Sequence, residues 1–214
     1  MRSMLFALAA SLVLIAPAHA GPSAPGRVEF EVLRNGSPFG RHVVNVTGGQ
    51  GAFSVASEIE LRVAAGPLTL FRYEQACNER WRSGALAGLS CSTLKEGRRT
   101  EVSAQPDGDA LRVNGAAFPL NVWPTTWWTR PPEGVSTMLN TETGSNMPVR
   151  VSRMGRETIE AGGTRVSAER LRVQGTLTVD LWYDDAGRWV GCSFTARGQT
   201  ITYRLVTPLT SAPA

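Results

Sequence analysis

The sequence has 214 residues, 42% of them hydrophobic, 19% charged and 7% aromatic, and its formal net charge is +4. This composition is typical of a globular protein with enough apolar residues for a core. It excludes a disordered chain, a collagen-like fibre and a coiled coil. The basic residues are arginines spread along the chain, apart from the single lysine, Lys95. Because nucleic-acid-binding proteins carry a basic stripe or tail, we predict no nucleic-acid partner.

The N-terminal segment has the three parts of a secretory signal peptide in the usual order. Arg2 gives a positive start, residues 5–15 form an apolar run, and Ala18-His19-Ala20 is an A-x-A cleavage site. The run is too short for a permanent transmembrane anchor, which needs about 20 apolar residues. We therefore predict cleavage after Ala20 and a periplasmic or secreted location in a bacterium.

The remaining sequence divides into one folded region and two short ends. Gly and Pro are frequent just after the cleavage site, and the last seven residues form a short polar segment with two prolines. No later stretch is long and apolar enough for a transmembrane helix. We predict a signal peptide at 1–20, a flexible leader at 21–26, a single all-β domain at 27–207 and a flexible tail at 208–214.

Alternating apolar and polar residues, the pattern of half-buried strands, recur throughout this domain. The clearest run has Phe53, Val55, Ile59, Leu61 and Val63 on one face and Ser54, Ala56, Glu58, Glu60 and Arg62 on the other. Turn sequences rich in Gly, Asn and Asp separate such runs. We predict an antiparallel meander of about 10–12 strands. Since so long a sheet must curl, split or close, we expect a strongly curved, half-open barrel.

Residues 122–134 interrupt the strand pattern. Prolines at positions 124, 131 and 132 are unfavourable in a central strand. Three tryptophans within six residues are unusual for a surface loop without a role. We predict that this segment is a short Trp/Pro-rich flap folded over one end of the sheet.

A concave sheet beneath such a flap is suited to an apolar or amphipathic ligand, because the mouths of β-barrels are favoured binding sites. The aromatic candidates for contact with this ligand are Trp123, Trp127, Trp128, Tyr73 and Trp182. Aromatic residues also stabilise cores and cross-strand pairs. Packing inside the domain is therefore the alternative role for each of them.

His42 is the only histidine after the predicted cleavage, which excludes a multi-histidine metal site. The sequence also has no phosphate-binding Gly loop, calcium loop or G-x-S-x-G elbow. We predict no catalytic residues, no metal and no cofactor. If Gly36-Ser37 is the tight loop, His42 lies opposite Glu31, and Phe30 lies opposite Val43. The alternatives for His42 are a base in a hydrolase-like enzyme and an ordinary cross-strand partner of Glu31.

Three cysteines remain after the predicted cleavage: Cys77, Cys91 and Cys192. A three-residue loop at Ser83-Gly84-Ala85 places Cys77 directly opposite Cys91, at a separation that a disulfide can span. The oxidising compartment outside the cytoplasm would keep this bond, and Cys192 would then be a free thiol. The alternatives, Cys77–Cys192 and Cys91–Cys192, need tertiary contacts that the sequence does not show.

Several short motifs occur together in a fixed order. They are Phe71-Arg72-Tyr73-Glu74, Glu79-Arg80-Trp81, Pro124-Thr125-Thr126-Trp127-Trp128, Leu139-Asn140-Thr141-Glu142-Thr143-Gly144 and Asp180-Leu181-Trp182-Tyr183-Asp184. On these motifs the sequence resembles a family of exported proteobacterial proteins of unknown function with a P-T-[ST]-W-W motif. Asn140 stands where that family usually has Asp, and Cys77 and Cys91 stand where Ser is usual. The resemblance implies no catalytic residues, since the family has no known activity.

Two functional classes remain beside the enzyme. The first is an exported protein that binds an apolar or amphipathic small molecule, such as an envelope lipid, in the concave face of the sheet. The second is a structural or protein-interaction module of the envelope without a ligand, whose edge strands would accept a partner strand. The absence of a catalytic motif favours these two classes over an enzyme.

Overall fold

The computed structural model describes residues 26–207, so the predicted signal peptide, the predicted leader apart from Gly26, and the predicted tail lie outside the described residues. The described chain forms sixteen β-strands and no helix, and therefore contains no helix that could cross a membrane. The strands are β1 (Gly26–Arg34), β2 (Ser37–Gly49), β3 (Ala52–Ala65), β4 (Leu68–Arg82), β5 (Ala85–Lys95), β6 (Arg98–Asp107), β7 (Ala110–Val113), β8 (Ala116–Pro119), β9 (Trp123–Pro124), β10 (Thr137–Leu139), β11 (Asn146–Pro148), β12 (Arg150–Ala161), β13 (Thr164–Gln174), β14 (Thr178–Asp184), β15 (Trp189–Ala196) and β16 (Gln199–Leu205).

Thirteen of these strands form one antiparallel sheet, which confirms the predicted all-β, open fold. The order is β12-β13-β14-β15-β16-β1-β2-β3-β4-β5-β6-β7-β8, so sequence neighbours are sheet neighbours except where β16 pairs with β1. β8 and β12 are the two edges, and the barrel is not closed. The strand number exceeds the prediction because strands of two to four residues are too short to show alternation.

An ion pair shows how far the sheet curls. The guanidinium of Arg197, in the β15–β16 turn, lies 3.7 Å from the carboxylate of Glu96, in the β5–β6 turn. Four strands, β1 to β4, lie between these two hairpins in the sheet. The two turns can approach each other only if the intervening strands curve around a common interior.

Two-residue turns set the register of the β1–β2 and β4–β5 hairpins. Asn35 and Gly36 have φ angles of 50° and 79°, and Ser83 and Gly84 have φ angles of 49° and 76°. Two consecutive positive φ angles are typical of type I′ turns, whose twist matches that of the flanking strands. Each of these two hairpins also has a β-bulge close to its turn, which moves the register beyond the bulge by one residue.

The connection between β8 and β12, residues 120–149, is called the insert here, and it folds over the inner face of the large sheet. Its first part is the flap, residues 122–134. Within the insert, β9 pairs parallel with β10, and β11 pairs antiparallel with β10. Pro124 therefore lies on an edge strand, where a proline is tolerated. Met138 and Leu139 of β10 are fully buried in the core of the large sheet.

The inner face of the sheet and the insert share one apolar core. The largest side chains that are fully buried there are Trp189, Tyr183, Phe30, Leu111, Met138, Leu139 and Leu181. Each contributes roughly 1.5–3 kcal/mol of burial free energy. The space between the middle of the sheet and the insert is thus filled by the protein's own side chains.

The two edges of the large sheet are poor templates for a partner strand. β8 has four residues and ends at Pro119. β12 has a bulge between Arg153 and Arg156, with Gly155 at a φ angle of 96°. Short length, proline, charge and bulges are the features by which proteins protect sheet edges. The described edges therefore give no support to a module that binds by strand addition.

Candidate functional site

The interior of the curved sheet is covered differently at its two ends. At the closed end, near the β4–β5 and β14–β15 turns, the flap packs on Trp81 and Tyr183. At the opposite end, near the β1–β2, β3–β4 and β15–β16 turns, a second apolar cluster is only partly buried. We call this second end the mouth.

A buried carboxyl group anchors the flap at the closed end. Glu79, on the inner face of β4, is 1% exposed. Its Oε2 accepts hydrogen bonds from the indole nitrogens of Trp81, at 2.7 Å, and Trp128, at 3.0 Å, whereas its Oε1 has no hydrogen-bond partner among residues 26–207. Burial raises the pKa of Glu79, and hydrogen bonds from the flap and from Trp81 oppose this effect. The carboxyl group joins the flap to the sheet.

The other side of the flap is held by β13 and β14. The hydroxyl group of Tyr183 donates to the backbone oxygens of Trp127, at 2.9 Å, and Thr129, at 3.4 Å. The guanidinium of Arg130 pairs with the carboxylate of Glu169 on β13. Because Glu79 lies on β4, the flap spans the interior and connects strands that lie far apart in the sheet order.

Apolar side chains from six strands line the mouth: Val32, Phe39, Leu61, Val63, Phe71, Phe194 and Ile201. Val32, Phe39 and Ile201 are buried and form its floor, while the remaining four are partly exposed. The rings of Phe39 and Phe71 pack with their centroids 5.5 Å apart. Tyr203 contacts both this cluster and the main core, so the mouth is continuous with the packed interior.

Cationic side chains stand at the rim of the mouth. The guanidinium carbon of Arg34 lies 5.6 Å from the centroid of the Phe39 ring. On the β5 side, Nζ of Lys95 donates to Glu142 at 2.7 Å and lies 5.9 Å from the centroid of the Tyr73 ring. Burial, followed by the nearby Glu142, raises the pKa of Tyr73, so its phenol stays protonated. The site therefore combines apolar walls with a rim that carries the cation of Arg34 and the Lys95–Glu142 ion pair.

The predicted pairing of His42 with Glu31 is wrong. The turn is Asn35-Gly36 rather than the next pair, and the register of β1 with β2 differs from the predicted one by one residue. His42 lies opposite Phe30, so Phe30 does not lie opposite Val43 either. A shift of one residue moves a side chain to the other face of a strand, and this places His42 on the inner face.

The surroundings of His42 are those of a buried, neutral imidazole. It is 2% exposed, its Nε2 lies 3.0 Å from Oγ of Ser57, and the Trp189 ring packs against it at a centroid distance of 5.3 Å. Burial lowers the pKa of His42 to about 3. Glu31 pairs instead with Arg204. Within residues 26–207, no group of three or more His, Cys, Asp or Glu side chains is placed to hold a metal ion.

The predicted disulfide between Cys77 and Cys91 is present, and Cys192 is a free, buried cysteine. The assumed three-residue loop is wrong, because the turn has two residues, Ser83-Gly84. A bulge adds one residue between this turn and the cysteines, and it restores the predicted register. Burial raises the pKa of the Cys192 thiol, which keeps it protonated and a poor nucleophile.

Three of the predicted ligand contacts lie in the flap: Trp123, Trp127 and Trp128. The rings of Trp123 and Trp128 pack on Trp81, with centroid distances of 4.8 and 5.7 Å. These contacts occur at the closed end, on the far side of the packed core from the mouth. Two of the flap tryptophans therefore have a packing role in this structure.

The other two predicted contacts lie apart from the flap. Trp182 is on the outer face of β14, where its indole N–H donates to the carboxylate of Glu157 at 3.0 Å. Tyr73 is on the inner face of β4 beside the mouth, next to Lys95. The structure thus does not bring the five aromatic residues together, and Tyr73 is the one that lies beside the partly exposed apolar cluster.

Glu79 and Phe71 occur in the motifs of the sequence but are not among the predicted site residues. A signal for Glu79 was present, because it lies two residues from Cys77 and two from Trp81, and therefore on the same face of the strand. Phe71 belongs to the same alternation. The sequence alone does not indicate that Glu79 lies under the flap and Phe71 beside the mouth, because these locations depend on where the insert folds.

Residues 30–206 match the model of the family described as Domain of unknown function (DUF6134). The chain belongs to this family. No curated protein matches the sequence. Among solved structures, the fold is similar to that of the beta-barrel-like protein of domain of unknown function DUF1849 from Brucella abortus. The TM-score is 0.64 and the sequence identity 9%, and the match covers 87% of this chain and 97% of that one.

These comparisons define the family and the fold of the DUF6134 chain. At 9% identity the similarity to the DUF1849 protein is one of fold alone. The barrel-like description of that protein agrees with the open, curved sheet described above. Function must therefore be argued from the residues of the mouth and the flap.

Proposed function

We propose that this DUF6134 protein is an exported bacterial protein that binds an amphipathic small molecule at the mouth of its half-open barrel. The observation that carries the proposal is the apolar cluster at the mouth, where Leu61, Val63, Phe71 and Phe194 remain partly exposed. Side chains of the same type at the closed end are covered by the flap. A contiguous apolar surface that the chain leaves uncovered is a common mark of a ligand site.

The packing of the interior limits how such a ligand binds. Because the insert fills the middle of the barrel, the apolar part of the ligand lies against Phe39 and Phe71 at the mouth. Its polar end then faces the rim, where Arg34 has an aromatic contact but no ion pair among the described residues. An anionic amphiphile, such as a fatty acid or a lysophospholipid, combines these two properties.

The export of the protein is supported by two independent features. The N-terminal sequence has the order of a signal peptide, and the Cys77–Cys91 disulfide requires an oxidising compartment for its maintenance. An envelope location also places the protein where free amphiphiles and membrane lipids are available as ligands.

The binding of cis-parinaric acid, a fluorescent fatty acid, tests the proposal directly. We expect saturable binding by the mature protein, and about tenfold weaker binding by the Phe71→Ser variant, because the variant removes much of one aromatic wall. Leu120→Ser is the matched control: Leu120 is 43% exposed, and it lies in the insert, outside the apolar cluster of the mouth. It should bind as the wild type does.

The charge at the rim gives a second, independent measurement. Arg34→Gln should weaken the binding of lysophosphatidylglycerol in native mass spectrometry and leave that of lysophosphatidylcholine unchanged. An absence of saturable binding by the wild type, or equal affinities of the Phe71→Ser and wild-type proteins, would refute a ligand site at the mouth.

A further inference from the structure

The most exposed large apolar side chains of the described chain lie together at the end of one hairpin. Leu68 is 61% exposed and Leu70 is 57% exposed. They belong to the β3–β4 turn region, residues 64–70, which we call the tip. The tip also contains Pro67, two alanines and no acidic residue.

The tip projects beyond the strands on both sides of it. The pairing of β3 with β2 ends at Leu61 and Gly40, and the pairing of β4 with β5 ends at Tyr73 and Lys95. Beyond these pairs the two strands continue alone as a two-stranded hairpin. No other part of the described chain covers the two leucines at the end of this hairpin.

Basic residues surround the tip on the same end of the barrel. Arg62 lies at its base and donates to Thr69 at 2.8 Å, and Arg34 and Arg98 lie in the neighbouring hairpins. None of these three arginines has an ion pair among residues 26–207. Glu96, in the β5–β6 turn of this end, pairs with Arg197. At the opposite end Asp107, Asp184 and Asp185 pair with arginines. The apolar tip is therefore on an end that carries three arginines without ion pairs in the described chain.

A projecting apolar tip within a basic surface is complementary to an anionic lipid bilayer. The leucines enter the boundary between headgroups and acyl chains, and the arginines interact with the phosphates. A docked tip also places the mouth, at the same end of the barrel, against the membrane. The two features would then act on one surface.

We propose that the β3–β4 tip docks the protein on anionic membranes, with Leu68 and Leu70 as the inserted side chains. The proposal extends the ligand-binding function above. It rests on that function in one respect: the docked bilayer would be the source of the amphiphile that the mouth binds. Docking and ligand binding nevertheless depend on different residues, so each can be measured when the other is absent.

Flotation of the mature protein with vesicles tests the docking. We expect it to float with vesicles of phosphatidylethanolamine and phosphatidylglycerol, to float less at high salt, and to remain unbound with phosphatidylcholine vesicles. The double variant Leu68→Ser/Leu70→Ser should lose about tenfold or more of this binding. The matched double variant Leu120→Ser/Met154→Ser, which changes two side chains that are 43% and 42% exposed elsewhere, should float like the wild type.

Two further measurements separate the outcomes. The tip variant should bind parinaric acid as the wild type does, whereas Phe71→Ser should float normally and bind the fatty acid weakly. Loss of flotation by the tip variant, with flotation of the Leu120→Ser/Met154→Ser control, supports the docking surface whether or not the protein binds parinaric acid. Unchanged flotation of the tip variant would overturn it. So would a wild-type dimer in sedimentation equilibrium that the tip substitutions dissociate, because the leucines would then contact a second copy.

Discussion

The indole N–H of Trp128 donates a hydrogen bond of 3.0 Å to Oε2 of Glu79, and this bond connects the flap to the last, turn-proximal residues of strand β4. The same oxygen accepts the indole N–H of Trp81 at 2.7 Å. One carboxyl group therefore satisfies two buried donors, one from the sheet and one from the flap. The position and the stability of the flap depend on the acceptor at residue 79.

Two replacements of Glu79 should separate the effect of its hydrogen bonds on stability from the effect of its ionisation. Glu79→Ala leaves both indole donors without a partner, and we expect a loss of roughly 2–4 kcal/mol in the free energy of unfolding. Glu79→Gln keeps an oxygen at the site and should cost less than about 1 kcal/mol near pH 5. Urea unfolding of the two variants measures both values. Equal losses in both variants would show that the hydrogen bonds to the indoles do not stabilise the fold.

The pH dependence of Glu79 has a definite sign. Since burial raises its folded-state pKa, the folded state binds more protons than the unfolded state. Its contribution to stability is present below the ordinary pKa of Glu and is lost as the pH rises through the raised value. Glu79→Gln should therefore lose less stability than the wild type as the pH rises above 5. Glu58→Gln, an exposed change on β3, is the control and should leave the pH profile unchanged.

His42 should make the protein sensitive to acid. Its folded-state pKa of about 3 lies below the value of 6.5 for an exposed histidine, so its contribution is present above pH 6.5 and is lost as the pH falls through 3. The full loss is on the order of 5 kcal/mol. The double variant His42→Leu/Ser57→Ala removes the imidazole and its hydroxyl partner together, and should flatten the stability profile below neutral pH.

The matched control for His42 is a second buried polar pair on the inner face. Nε2 of Gln75 donates to Oγ1 of Thr93 at 3.0 Å, and neither side chain titrates. Gln75→Leu/Thr93→Val should change the stability but not its slope with pH. A slope of unfolding free energy between pH 4 and 6 that survives in the His42 double variant would assign the acid sensitivity to other groups.

Gly40 should be irreplaceable in the β1–β2 hairpin. A β-carbon at this position would overlap the backbone oxygen of Glu60 on β3, so alanine must displace a strand. We expect Gly40→Ala to cost about 2–3 kcal/mol. A β-carbon added to Gly49, on the same strand, would have no described atom within 4 Å, and the φ angle of Gly49 is not positive. Thermal unfolding of Gly49→Ala should differ from that of the wild type by less than about 0.5 kcal/mol.

The Cys77–Cys91 disulfide should stabilise the domain by restricting its unfolded state. The bond spans a sequence separation of 14, for which the chain-entropy model gives about 3 kcal/mol. Cys77→Ser/Cys91→Ser should lose stability of this order and become insensitive to reductant. Peptide mapping without reduction should recover the bridged peptides, with Cys192 alkylated only after denaturation. A bridge to Cys192 would contradict the register of β4 with β5.

The sequence predicts the fold class well because alternation and turn residues are local properties. The run from Phe53 to Val63 has the predicted faces. The positions of β-bulges are not local in this sense, since they depend on how neighbouring strands twist together. The bulge beside the β1–β2 turn reversed the face of His42, and the bulge beside the β4–β5 turn happened to preserve the pairing of the cysteines.

The candidate site is harder to predict than the fold. Which aromatic residues are covered depends on where the insert folds, and no periodicity in the insert specifies that location. Trp128 is buried because Glu79 and Trp81 receive it, a contact between residues 49 positions apart. The apolar alternation of β3 likewise continues as far as Val63, and a register shift between Val63 and Ala64 precedes the exposed leucines of the tip. Sequence therefore identifies the strands that form the mouth but not the point at which their burial ends.

The pairing of β1 with β16 has a consequence for how the domain is made. These are the first and last strands of the described chain, yet they are neighbours in the interior of the sheet. During synthesis β1 has no partner on one side until β16 has left the ribosome, and its unpaired edge is open to mispairing. The sheet cannot close its central seam before translation of the domain is complete. The export that we propose would use this delay, because a translocation channel for extended chains accepts a chain that has not yet folded.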